Sequence, residues 1–219
     1  MAKTIRMSTS NIPLFISFEG IDGCGKSTQV KILLERLDQA GIDSTLVREP
    51  GGTHISEEIR EVLLTNRDDT MADRTETLLM TASRAQLTHD IIIPSQEKGK
   101  FVIADRFADS TLAYQGGGRG LNLDWLIKLN EFATFGVRPD LTFFIDVTAE
   151  VGARRRSTVH PDRLENVGHD FQEKVRNQYL KLVKLFPDRF ITLDGMESPD
   201  VIHTRIWSEI NKRMNKNEK

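Results

Sequence analysis

The sequence is poor in features that mark several large classes of protein. Its 219 residues include a single cysteine, which excludes an internal disulfide framework and fits a reducing, cytoplasmic setting. No apolar run is as long as a membrane span, and residues 1–11 lack the apolar core of a signal peptide. The net charge of −2 gives no indication of nucleic-acid binding. We therefore expect a cytoplasmic protein with neither a membrane nor a nucleic-acid partner.

The length and apolar content suit one globular domain. Hydrophobic residues make up 38% of the chain, which is enough to build a sizeable core. The polar start, residues 1–11, and the charged end, residues 212–219, are expected to fray. We therefore expect a single domain over residues 1–219.

Residues 20–27 form the most informative stretch, because they read Gly-x-x-x-x-Gly-Lys-Ser, the P-loop pattern. The apolar run over residues 14–18 predicts a buried strand before it. After it, apolar residues recur at helical spacing, at Val30, Leu33, Leu34 and Leu37. The loop is therefore predicted to join a strand to the N-terminus of a helix.

Such a loop binds the phosphates of a nucleotide. Its glycines let successive N–H groups point at phosphate oxygens, and the helix N-terminus adds partial positive charge. Lys26 can reach the β- and γ-phosphates, and the Ser27 hydroxyl can ligate Mg²⁺. The candidate nucleotide-binding residues are Gly20, Ile21, Asp22, Gly23, Cys24, Gly25, Lys26, Ser27 and Thr28.

Further apolar runs alternate with helical patterns along the chain. Strands are predicted over residues 44–47, 101–104, 141–145 and 190–193. Helices are predicted over residues 56–65, 74–93, 123–135, 171–186 and 199–214. The alternation predicts an α/β fold in which helices flank a five-stranded parallel sheet.

Charged residues stand where such a sheet would bind a ligand. Asp105 and Arg106 follow the predicted strand over residues 101–104, where Asp can hold Mg²⁺ and Arg can bind a phosphate, although a strand-end salt bridge is the alternative. Arg84 shares a mostly apolar helical stripe with Met80, so it needs a partner such as a phosphate or a carboxylate, unless it reaches solvent.

A basic segment begins at residues 154–156, which are three consecutive arginines. It follows a predicted strand end on the same side as the P-loop. We therefore predict that residues 152–166 form a lid that brings arginine to the phosphates, with an ordinary solvated face as the alternative.

Six motifs in order along residues 14–210 resemble the thymidylate kinase family. They are the P-loop preceded by Phe18-Glu19, the loop over residues 48–53, Ser83-Arg84, Asp105-Arg106-Phe107, the stretch over residues 113–117, and Asp162-Arg163-Leu164-Glu165. The resemblance implies a P-loop nucleoside monophosphate kinase. Such an enzyme transfers the γ-phosphate of ATP to dTMP, uses Mg²⁺, gives dTDP for dTTP synthesis, and is typically a homodimer.

The resemblance also implies roles for single residues. Arg84 approaches the thymine carbonyl, Arg106 the acceptor phosphate, and Tyr114 the sugar 2′ position. The implied catalytic residues are Asp22, Lys26, Arg106, Arg155 and Arg156. The implied metal ligands are Ser27 and Asp105. The implied substrate-binding residues are Glu49, Pro50, Arg60, Met80, Arg84, Arg106, Ser110, Thr111, Tyr114 and Gln115.

The sequence departs from the family pattern at two places. Met80 stands where the family usually has a phenylalanine stacked on thymine, which puts base discrimination in question. The segment after Arg156 is short of arginine, so the sequence does not decide which of residues 154–156 reaches the phosphates.

Two other functions are compatible with a P-loop. One is a kinase for another nucleoside monophosphate, and the other is a switch protein of the GTPase kind. The switch protein needs an Asn-Lys-x-Asp motif, and residues 211–214 lack its aspartate.

Cys24 is predicted to be a reactive thiol. It lies beside Lys26 and just before a helix N-terminus, and both features favour the thiolate. The alternative is that it serves only as a small residue in the loop.

Overall fold

The structure is a computed structural model that describes residues 13–66, 70–156 and 168–216. Five strands in these ranges form one parallel sheet, in the order β2-β3-β1-β4-β5. The strands are β1 Phe15–Glu19, β2 Ser44–Arg48, β3 Phe101–Asp105, β4 Leu141–Asp146 and β5 Phe190–Asp194. The predicted α/β class and the five-stranded parallel sheet are confirmed, and each strand ends one residue later than its apolar run.

Helices lie between the strands. They are α1 Lys26–Gln39, α2 His54–Leu64, α3 Asp73–Leu87, α4 Ile93–Glu97, α5 Ala108–Thr111, α6 Leu123–Ala133, α7 Ala149–Arg155, α8 Gly168–Leu185 and α9 Pro199–Lys216. Two π-helical segments, Thr88–Ile92 and Leu112–Gly118, continue α3 and α5. Sequence periodicity found the long helices. It missed α4, α5, α7 and the π-helical segment that continues α5, which are all too short to show an apolar stripe.

Both ends of the chain were expected to fray, and the structure describes part of the C-terminal end only. Helix α9 continues to Lys216, within the segment over residues 212–219 that was expected to fray. Residues 1–12, which include the expected frayed extension, lie outside the described ranges.

The sheet is buried on both faces, as parallel sheets are. Side chains of β1 alternate between two apolar clusters, with Ile16 and Phe18 in one and Phe15 in the other. Strand β3 alternates in the same way. Both strands are therefore mostly apolar, with Ser17 as the one polar side chain inside them, and the acidic side chains of Glu19 and Asp105 at their carboxyl ends mark the edge where a ligand can bind.

The direction in which successive strands are added to the sheet changes next to β1. From β1 the chain builds β2 and β3 on one side of the sheet and then crosses to β4 on the other. Crevices at such points are where open α/β sheets bind ligands. No helix within the described ranges is long and apolar enough to cross a bilayer.

Candidate active site

The P-loop has the predicted position between β1 and α1. Gly25 has a φ of 106° at the N-cap of α1, and Lys26 is the first residue of the helix. The Lys26 ammonium donates to the carbonyl oxygens of Gly20 and Ile21, each at 3.0 Å. These bonds hold the lysine against the loop, and Lys26 also lines the cleft described below.

Two glycines bring the P-loop into backbone contact with α7. A Cβ on Gly23 would lie 2.2 Å from the Gly152 carbonyl oxygen, and a Cβ on Gly152 would lie 2.6 Å from the Asp22 carbonyl oxygen. Gly23 also has a φ of 81°, which disfavours any side chain. Helix α7, which carries Arg155 at its end, is therefore seated directly on the loop.

The carboxyl end of β3 faces the start of α1. The Ser27 hydroxyl donates to a carboxylate oxygen of Asp105 at 3.1 Å. A hydroxyl and a carboxylate fit Mg²⁺, which binds few protein oxygens and takes its other ligands from water and phosphate. Among the described residues there is no cluster of three or more His, Cys, Asp or Glu side chains that could hold a metal without such help.

Arg106 follows Asp105 directly after the end of β3. Its guanidinium donates to Asp22 at 2.6 Å, to the Tyr114 hydroxyl at 3.0 Å and to the Gly20 carbonyl oxygen at 3.0 Å. Burial raises the pKa of Asp22, but the charges of Arg106 and Lys26 outweigh it and hold the pKa at about 2. Asp22 is therefore a permanent anion that orients Arg106.

Arg84 is buried and is paired with a carboxylate, one of the partners expected from the sequence. Nε and one terminal nitrogen bind the Glu49 carboxylate, at 2.8 and 2.5 Å. The remaining hydrogens go to the Thr111 hydroxyl, to the Asn130 side-chain oxygen and to the Phe107 carbonyl oxygen. All five donors of the guanidinium are thus engaged by the protein. Burial raises the pKa of Glu49, and the charge of Arg84 opposes this.

These side chains border a single cleft with a volume of about 520 Å³. The residues that line it are Asp22, Gly23, Gly25, Lys26, Ser27, Thr28, Arg48, Glu49, Pro50, Arg60, Leu64, Met80, Arg84, Asp105, Arg106, Ser110, Thr111, Tyr114, Gln115, Arg155 and Arg156. All the sequence-predicted metal and substrate residues are among them. Of the predicted nucleotide-binding residues, Gly20, Ile21 and Cys24 do not line the cleft.

The structure distinguishes the three consecutive arginines at the end of α7. Arg155 and Arg156 line the cleft, whereas Arg154 does not and is exposed. Arg155 donates to the Gly195 carbonyl oxygen at 2.9 Å, and the charge of Arg156 helps to lower the pKa of Asp22. The rest of the predicted lid, including the Asp162-Arg163-Leu164-Glu165 motif, lies outside the described residues.

The burial of Cys24 contradicts the prediction that it is a reactive thiol. Its side chain is 1% exposed and belongs to the larger apolar cluster. The turn of the loop directs it inward, where Lys26 Nζ lies 3.7 Å from the sulfur. Cys24 is therefore a small core residue, which was the alternative reading.

Several supporting residues carry no signal in the sequence. Asn130 accepts from Arg84 and donates to the Ala108 carbonyl oxygen at 3.0 Å, so it fixes two walls of the cleft from behind. Glu76 is 1% exposed and accepts from Gln115 and from Arg119. Arg48 and Leu64 line the cleft without having been predicted to bind substrate. Only Arg48 had a signal, because it opens the Pro-Gly-Gly loop.

A P-loop on a parallel sheet, facing an arginine-lined second pocket in the same cleft, defines a P-loop nucleoside monophosphate kinase. Comparison with known proteins narrows the class. A family model described as thymidylate kinase matches residues 18–206. The chain therefore belongs to the thymidylate kinase family.

Individual relatives agree with the family match. A thymidylate kinase from Caldanaerobacter subterraneus subsp. tengcongensis is 50% identical over 192 residues, which cover 88% of this chain and 92% of the relative. One from Fervidobacterium nodosum is 48% identical over 198 residues, covering 90% and 98% of the two chains. The crystal structure of thymidylate kinase from Ehrlichia chaffeensis superposes with a TM-score of 0.74 at 33% identity, covering 90% of this chain and 98% of that one.

Proposed function

We propose that this chain transfers the γ-phosphate of ATP to dTMP, giving dTDP and ADP. The observation that carries the proposal is the shared cleft, in which the P-loop and the arginine-lined pocket face each other across Asp22. In that arrangement two phosphorylated substrates meet end to end, as in-line transfer requires.

The donor end of the cleft is the P-loop. Backbone N–H groups of residues 20–28 bind the β- and γ-phosphates, with the positive end of α1 behind them. Lys26 leaves its contacts with the loop carbonyls and places its charge on the transferring group. Ser27 and Asp105, whose side-chain oxygens lie 3.1 Å apart, would hold Mg²⁺, which would neutralise phosphate charge and orient the nucleotide.

The acceptor end receives the phosphate of dTMP. Arg106 binds it, held in place by Asp22 and Tyr114. Arg60 lies further along the same wall, where its guanidinium donates to the Pro50 carbonyl oxygen at 2.8 Å. A guanidinium with its orientation fixed in advance loses little entropy on binding a phosphate.

The thymine base lies deeper in the cleft. Met80 forms one face of its slot, where the polarizable thioether replaces an aromatic plate. Ser110, Thr111 and Gln115 supply polar atoms around the base, and Tyr114 crowds the sugar. Arg84 forms the floor together with Glu49, and its contact with a thymine carbonyl shares donors that the protein already engages.

Catalysis consists of positioning and charge stabilisation. The attacking phosphate oxygen is already ionised at neutral pH, so the transfer needs no general base. Asp22 fixes the acceptor arginine, Lys26 meets the charge that develops on the transferring group, and Arg155 and Arg156 add positive charge from the C-terminal end of α7. Removing one such charge from a site of this kind costs roughly two to three orders of magnitude in turnover.

A coupled ADP-release assay tests the proposal across dTMP, dUMP, UMP, CMP, AMP and GMP. We expect dTMP to give the highest kcat/KM, and Lys26→Met to lower turnover by roughly two to three orders of magnitude while retaining the wild-type circular dichroism spectrum. Arg154→Ala, which changes an arginine outside the cleft, is the matched control. A preference for another monophosphate would contradict the assignment of substrate, and ADP release without any acceptor would contradict phosphoryl transfer to a nucleotide.

We also propose that the protein is a homodimer. Support comes from apolar side chains that α6 and its neighbours leave in solvent: Phe132 is 83% exposed, Phe135 58%, Leu78 52% and Trp125 42%. Trp125 and Phe132 are seven residues apart and so share one face of α6. Sedimentation should give twice the 24.9 kDa chain mass. Phe132→Asp should shift the protein to monomer, and a monomeric wild type would contradict the proposal.

A further inference from the structure

Glu19 is a buried acid to which the reaction as described gives no role. It is the last residue of β1, is 0% exposed, and is not among the described residues that line the cleft. Burying a carboxylate is costly unless its oxygens are satisfied. Among the described residues it forms no ion pair, so its partners are neutral hydrogen-bond donors.

Three donors from two parts of the chain converge on this carboxylate. One oxygen accepts the backbone N–H of Phe107 at 2.8 Å. The other accepts the hydroxyls of Ser110 and Tyr179, both at 2.7 Å. Phe107 follows Arg106 in the chain, Ser110 belongs to α5, and Tyr179 belongs to α8. Glu19 thus joins the central strand to the segment that carries Arg106 and to a distant helix.

The backbone of Arg106 needs such support. Its φ of 72° lies in the left-handed region, which an arginine rarely occupies. The two amides that bracket this residue are both bound by the end of β1. The N–H of Arg106 donates to the Phe18 carbonyl oxygen at 3.1 Å, and that of Phe107 donates to Glu19.

The carboxylate also sets the direction of a hydroxyl that touches the guanidinium. An ionised carboxylate only accepts, so Ser110 and Tyr179 turn their protons toward Glu19. This leaves lone pairs of Ser110 Oγ for Arg106, whose terminal nitrogen lies 3.3 Å away. Burial and Asp109 raise the pKa of Glu19, while Ser110, Arg106 and Tyr179 lower it. Asp109 itself is paired with Arg189 at 2.6 Å.

We propose that Glu19 is a positioning residue, which fixes Arg106 for the acceptor phosphate through the Phe107 amide, Ser110 and Tyr179. The inference rests on the proposed role of Arg106. It predicts that loss of the carboxylate weakens the use of dTMP and leaves the ATP end of the cleft unaffected.

Glu19→Gln is the direct test. Its amide must keep an oxygen on Phe107 N–H, so its NH₂ faces the two hydroxyls and Ser110 has to reorient. At pH 8 we expect kcat/KM for dTMP to fall about 10- to 100-fold, the scale at which small misplacements act, with KM for ATP changed less than about twofold. Asp140→Asn is the matched control, because that carboxylate accepts the Phe15 N–H at the opposite end of β1, at 2.8 Å.

Tyr179→Phe provides a second variant should Glu19→Gln fold poorly. Its ring is fully buried and stacks on Phe144, so the phenylalanine keeps the packing and removes one donor. We expect a severalfold rise in KM for dTMP alone. Equal rises in KM for both substrates, or losses that match the fraction of unfolded protein, would overturn the positioning role.

A double-mutant cycle with Arg106→Gln separates this inference from the function on which it rests. If Glu19 acts through Arg106, Glu19→Gln has little further effect on dTMP use once Arg106 is replaced. Full additivity overturns the positioning role and leaves that of Arg106 standing. An Arg106→Gln variant with an unchanged KM for dTMP overturns the proposed role of Arg106, and the positioning role with it.

Discussion

Ionisation of Glu19 is expected to make the protein less stable as pH rises. Burial, with Asp109, raises its pKa from the ordinary 4.5 to about 7. Each pKa unit corresponds to about 1.4 kcal/mol, so the ionised carboxylate is disfavoured in the folded state by about 3 kcal/mol. Because the folded pKa is the higher one, the stabilising contribution is fully present below pH 4.5 and is lost as pH rises through about 7.

Comparison with Glu19→Gln isolates this contribution, because the amide does not titrate. Lost hydrogen bonds and altered packing change the free energy of unfolding of the variant by an amount that does not depend on pH. The ionisation penalty is about 1 kcal/mol at pH 5 and about 3 kcal/mol at pH 8. The free energy of unfolding of Glu19→Gln minus that of the wild type should therefore grow by about 2 to 3 kcal/mol between these values.

Urea denaturation of the ligand-free proteins, followed by circular dichroism at pH 5, 6, 7 and 8, measures the difference. A difference that stays constant across the four pH values would refute the raised pKa of Glu19. The expected pattern also bears on function. If Glu19→Gln becomes more stable relative to the wild type as pH rises, and yet uses dTMP less well, then the carboxylate serves positioning rather than folding.

Three further predictions concern the walls of the cleft. Arg156→Ala should lower kcat well below that of Arg154→Ala, with both KM values nearly unchanged, because its charge acts mainly in the transition state; equal effects in steady-state assays would argue against it. Met80→Phe should lower KM for dTMP, since base–aromatic stacking is worth about 1–3 kcal/mol elsewhere; a severalfold rise would show a slot shaped for methionine. Gly152→Ala should raise intrinsic helix propensity but lower turnover, because the new Cβ would lie 2.6 Å from the Asp22 carbonyl oxygen; wild-type kcat would show that α7 shifts freely.

Much of the fold could be predicted because its signals are local. Strand β1 is buried on both faces, so a mostly apolar run followed by a glycine-rich turn identified it and placed the P-loop after it. Asp105 was predicted to ligate a metal because it follows a second such run, and in the structure it meets Ser27. The positions of these two residues in the sequence were thus enough to predict a shared site for residues 78 apart.

The supporting residues could not be predicted, because their roles depend on partners far along the chain. Glu19 and Tyr179 meet across 160 residues, and Arg84 meets Asn130 across 46. A buried asparagine or glutamate looks in sequence like any surface polar residue. The prediction for Cys24 failed for a related reason. Its neighbours in sequence suggested a reactive thiol, but the turn of the loop directs the sulfur into the core, and no spacing rule describes that turn.

The pKa values of the two carboxylates that hold the Arg106 segment are shifted in opposite directions. The charges of Arg106 and Lys26 overcome burial at Asp22, whose pKa is about 2, whereas burial dominates at Glu19, whose pKa is about 7. The stabilising contribution of Asp22 is therefore present above pH 3.8 and lost as pH falls through about 2, and that of Glu19 is lost as pH rises through about 7. At neutral pH Asp22 keeps its full charge while Glu19 is only partly ionised. A rise in pH ionises Glu19, which turns the Ser110 proton toward the carboxylate and leaves the lone pairs of Ser110 Oγ for Arg106. The hydrogen bonds that position Arg106 therefore change within the pH range where the acceptor phosphate is already doubly ionised.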